Sequence, residues 1–162
     1  MRAVRIILLA LSLGPVAVWG SDVLMVTTNS VWKYLDDGSN QGTAWRATNF
    51  NDTAWAAGPA PLGYGDPWIV TTNSYGPNSS NKYITTYFRR AFVVTNAAAF
   101  SSIKVQLMRD DGAVIYLNGT ELLRDNMPAG TVTNATLAST AVGASNETNF
   151  FAFSVSAGSL IT

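Results

Sequence analysis

Asn118-Gly119 stands between two short runs, "GAVIYL" and "TELLRD", and constrains the fold around it more than any other pair in the chain. Both residues tolerate positive φ, as a type I′ turn requires, and the twist of that turn matches two antiparallel strands. A hairpin is therefore expected at this point. Nearby runs keep the two-residue period of a half-buried strand. Ile103, Val105 and Leu107 alternate with Lys104, Gln106 and Met108, and Phe151, Phe153 and Val155 alternate with Ala152, Ser154 and Ser156. Val114, Tyr116 and Leu117 extend the apolar pattern toward the hairpin.

The remaining sequence supports the same class. It is rich in Thr, Asn, Ser, Gly and Val with scattered aromatic rings, which favours strands and turns over helices. "VWKYLDDGS" predicts a strand ending in an Asp36-Asp37-Gly38 turn. Between Thr43 and Trp68, spaced aromatics, glycines and prolines predict irregular structure pinned by buried rings, with a short helical turn at 51–55 capped by Asn51 or Asp52. "IVTTNSYGPNSSNKY", residues 69–83, predicts a long surface loop. The expectation is one all-β domain, an antiparallel β-sandwich.

Residues 1–20 stand apart. Arg2 and Arg5 precede the apolar run "IILLALSLGPVAVW", and Val18 and Gly20 provide small residues before Ser21, the pattern of a secretory signal peptide. The expected organisation is a signal peptide at 1–20 and a module at 21–162, secreted or at the cell surface and without membrane attachment after cleavage. Removing Arg2 and Arg5 from ten basic residues leaves eight against ten acidic ones, a formal charge of −2. No basic field for nucleic acid results. The chain has no histidine and no cysteine. That excludes Ser-His-Asp and thiol catalysis, along with the commonest zinc ligands.

Three stretches resemble a known family. "FNDTAWAAGPAPLGYGD", "TTYFRRAFVV" and "LMRDDGAVIYLNGTELLRDNMPAGT" are similar to the galactose-binding-like jelly-roll modules of large secreted bacterial proteins, and to the sugar-binding domains of β-galactosidase-type glycosidases. The resemblance spans roughly Val31 to Val155. It implies a jelly roll that lacks its final strand, C-terminally truncated, and a noncatalytic carbohydrate-binding accessory role. Expected partners are a polysaccharide or glycan and the downstream domains of a parent chain. A structural or adhesion domain contacting a protein partner is the alternative.

Two groups of residues are candidates for a site. Tyr64, Asp66, Trp68, Asn73 and Tyr75 combine flat apolar rings with polar groups, the mixture a sugar site needs; the competing reading has these rings cover an open end of the sandwich. Asp110 and Asp111 read first as anchors of a turn, with oxygens drawn to backbone N–H groups or to Arg109. Their second reading is as ligands of one structural calcium, which related jelly rolls often carry. Catalysis by this pair ranks last, because adjacent strand carboxylates diverge whereas glycoside hydrolysis needs a separated pair.

Overall fold

The computed structural model describes residues 9–12 and 22–161. The signal-peptide boundary at Gly20 lies outside the described residues. The strands, in chain order, are β1 (Leu9–Ser12), β2 (Val23–Val26), β3 (Val31–Leu35), β4 (Ala56–Pro59), β5 (Leu62–Gly63), β6 (Thr71–Thr72), β7 (Tyr87–Arg89), β8 (Ser102–Leu107), β9 (Ala113–Leu117), β10 (Thr120–Asp125) and β11 (Phe151–Ser156). A single four-residue helix, Ala144–Glu147, and three short 3₁₀ turns are the helical elements among the described residues. None of the described helices is long and apolar enough to cross a membrane.

The strands form four sheets: β11-β8-β1-β2, β4-β3-β7, the β9-β10 hairpin and the short pair β5-β6. All pairings are antiparallel except β5-β6, which is parallel. The molecule is all-β, as composition and periodicity predict. Ile103, Val105 and Leu107 are buried while Lys104 and Gln106 are exposed, so β8 has the expected alternation. β11 lies along it with Phe153 opposite Val105 and Val155 opposite Ile103. These residues join Val26, Val94, Leu117 and Leu160 in the larger apolar cluster. A smaller cluster gathers Ala60, Leu62, Phe88 and Met108. Trp32 packs against both.

Asn118 and Gly119 have φ of 52° and 86°, and Leu117 pairs with Thr120, the geometry of a two-residue type I′ hairpin. The face of β9 differs from the expected one. Ala113, Ile115 and Leu117 meet the core, whereas Val114 and Tyr116 face the other way. A period of two allows one face only, so Tyr116 and Leu117 cannot both point inward.

The 69–83 stretch is more ordered than a plain loop. β6 interrupts it, and the Tyr83 N–H donates to Tyr75 O at 2.9 Å. At 51–55 the chain closes one turn, the Trp55 N–H donating to Asp52 O at 3.0 Å, without extending into a helix. Asn51 Oδ1 caps it by accepting from the N–H and the hydroxyl of Thr53, at 3.1 and 2.7 Å. The 3₁₀ turn falls earlier, at Ala44–Arg46.

Leu9–Ser12, within the segment read as a leader, forms β1. Its backbone pairs with β2 on one side and β8 on the other.

Candidate binding surfaces

Asp110 and Asp111 are 1% and 3% exposed, joining β8 to β9. Those strands belong to different sheets, so the pair makes a crossing between sheets instead of a hairpin turn. The backbone-anchoring role expected of Asp111 is present. Its Oδ1 accepts the Val142 N–H at 2.6 Å, and its carbonyl accepts Asn126 Nδ2 at 3.0 Å. Arg109 turns elsewhere: its Nε pairs with Asp125 Oδ2 at 2.5 Å, and its guanidinium lies 4.4 Å from the Phe151 ring centre. Arg89 pairs with Asp52 at 2.9 Å. Among the described residues no cluster of three or more acidic side chains forms.

The aromatic candidates divide. Tyr64 is buried at 5% exposure and meets Tyr75 edge to face, with ring centres 5.2 Å apart. Tyr75 keeps 38% of its surface exposed. Lys82 Nζ lies 4.9 Å from the Tyr64 ring centre and 5.3 Å from that of Tyr75, so a cation faces both rings. Asn73 is buried, and neither atom of its amide has a hydrogen-bond partner among the described residues. Trp68 departs from this group and packs against the smaller apolar cluster, with Leu62 and Phe88. Asp66 is half-buried on the turn just before it.

A cavity of about 880 Å³ opens elsewhere, between β7 and β9. Tyr87, Phe88 and Arg89 line one side, and Val114, Ile115 and Tyr116 the other. Its depth reaches Val26, Val94, Val105 and Leu160, members of the larger core cluster. Trp45 lies across the opening on the 3₁₀ turn. Its ring stacks edge to face on Tyr87 at 5.1 Å and on Tyr116 at 5.7 Å. Arg89 fixes that turn by donating to Trp45 O and, at 3.1 Å, to Ala47 O.

Arg46 lays its guanidinium 4.0 Å from the Tyr116 ring centre. Burial raises the Tyr116 pKa, partly opposed by the Arg46 charge, so the phenol remains a protonated donor at neutral pH. Trp45 Nε1 and Arg46 Nε are buried there without a partner among the described residues. In the sequence Trp45 is one of the spaced rings of an irregular stretch and Tyr116 part of an apolar strand pattern, and neither they nor Arg46 mark this site. The signal was weak, because the residues lie some 70 positions apart and only the tertiary fold brings them together.

Comparison of the chain with protein-family models, curated proteins and solved structures finds no match.

Proposed function

We propose that this chain is a noncatalytic binding module of the galactose-binding-like jelly-roll kind, exported as part of a larger protein, with carbohydrate as its leading ligand class. The observation that carries the reading is the Tyr75 platform. An exposed ring, backed edge-on by Tyr64 and faced by the Lys82 ammonium, offers the flat apolar surface and polar neighbour on which a sugar ring can stack. The lack of histidine and cysteine supports a noncatalytic role. Affinity electrophoresis through plant, algal and bacterial polysaccharides tests it. Retardation by at least one polysaccharide that is lost in Tyr75→Ala, with the melting temperature unchanged, is the expected result. Uniform lack of retardation across the panel would remove carbohydrate as the ligand. Trp68→Ala is a poor probe by itself, because that ring packs against the core.

The second reading, a structural domain that engages polypeptide, is favoured by a different observation. Strands β7 and β9 each have one bonded neighbour among the described residues, and both line the same cavity.

A further inference from the structure

We infer that the cavity between β7 and β9 is an acceptor slot for one β-strand of a partner polypeptide, with apolar residues at alternate positions and a carboxylate among those between. This inference deepens the second reading above and does not involve the Tyr75 platform.

The topology gives the first reason. β7 is bonded to β3 alone and β9 to β10 alone, so each has an unpaired edge among the described residues. Of β3 only Trp32 lines the cavity, and of β10 only Leu122, which places the opening on the far side of β7 and β9 from their bonded partners. The lining supplies the second reason. Phe88, Ile115 and Leu117 come from the core face of the two strands, and Tyr87, Arg89 and Tyr116 from the opposite face. A hollow on one face of a sheet touches one set, whereas an opening between two strands touches both.

The chemistry selects the occupant. An aliphatic ligand would satisfy Val26, Val94, Val105 and Leu160 but leave the N–H and C=O groups of two strand edges unpaired. A saccharide would reverse the problem, placing hydroxyls against an apolar floor. An extended peptide meets both demands, because its backbone bonds the edges while alternate side chains enter the core. The side chains pointing the other way meet Trp45 and Arg46. Glu121 is paired with Arg124 and Asp52 with Arg89, leaving Arg46 with no ion pair among the described residues and a buried Nε in need of an acceptor. A carboxylate on the outward face of the incoming strand supplies it. The fold already holds one such insertion, since β1 is seated between β2 and β8 with both edges paired.

The test uses the full chain and a pool of peptides about ten residues long, with Val, Ile, Leu or Phe at alternate positions and Thr, Ser, Glu or Asp between. Amide hydrogen exchange is the readout. The expected result is joint protection of Tyr87–Arg89 and Ala113–Leu117 on binding, at least tenfold weaker binding when the carboxylates are replaced by amides, and no binding when the peptide backbone is N-methylated. Arg46→Met should remove the preference for a carboxylate while retaining strand binding. Equal binding of the N-methylated pool, protection of only one edge, or no protection by any peptide would overturn the inference. So would protection of both edges in the chain alone, or in a concentration-dependent dimer, because the slot would then be closed or filled by a second copy. Loss of polysaccharide retardation in Tyr75→Ala concerns the platform alone, so the two readings fail separately.

Discussion

Asp111 anchors backbone far along the chain, and the loss expected on removing its carboxylate can be stated. In Asp111→Ala the half-buried Val142 N–H loses its acceptor, which should lower unfolding free energy by about 1 kcal/mol; Asp111→Asn, which keeps an acceptor, should lose less. Urea denaturation of the two variants decides it, and equal losses would mean that Val142 is not the important partner. The Arg124 hydrogen bond holds the Glu121 carboxyl below its ordinary range, with burial opposing it. A depressed acid stabilises fully above its unfolded value, near 4.5, and loses that contribution as pH falls through the folded value. The melting-temperature gap between the wild type and Glu121→Gln should therefore be widest above about pH 5 and narrow on acidification. A gap that widens with acid would contradict the pairing. The turn chemistry of Asn118, Gly119 and Asp37 was legible in the sequence because it depends on residues one or two positions apart. The partners of Arg109, Arg89 and Arg46 were not, because they are set by tertiary packing.

At the level of elements, β8 and β11 were legible for the same reason as the hairpin: a period of two in five or six residues names the buried face. β7 was legible only in part, since "TTYFRRAFVV" reads as one long strand but pairs at Tyr87–Arg89 alone. The unpaired remainder borders the cavity, where no described strand meets it. The parallel β5-β6 pair was not foreseen, because two-residue strands carry no periodicity. The turn after β3 shows how these pieces are held. Gly38 has φ of 76°, and a Cβ there would lie 2.5 Å from Tyr83 Cδ1, so the Tyr83 ring covers the turn and ties it to the 69–83 stretch. Gly38→Ala should cost about 1–3 kcal/mol through overpacking and the left-handed backbone. Tyr83→Leu combined with Gly38→Ala should recover part of that loss in a double-mutant cycle, whereas strict additivity would mean the ring is not the obstacle.

For the molecule as a whole, apolar surface concentrates where pairing stops. Val93 is 84% exposed and Ile161 58%, and both border the cavity. Val93→Thr should leave stability within about 0.5 kcal/mol of the wild type while reducing concentration-dependent association in sedimentation velocity. An unchanged sedimentation profile would mean that this apolar edge does not drive self-contact. The platform and the slot face different tasks: one requires an accessible ring, the other an unfilled gap in the sheet.

The seat of β1 between β2 and β8 means that a cut between β1 and β2 would have a different outcome before folding than after it. Proteolysis at Gly20 before folding would leave β2 and β8 with no strand to join them. The same cut after folding would leave Leu9–Ser12 held by hydrogen bonds on both sides, so that the severed segment persists as a noncovalent subunit of a nicked protein. Native mass spectrometry of the cut protein would distinguish these histories by a single number, the mass of one peptide retained or lost.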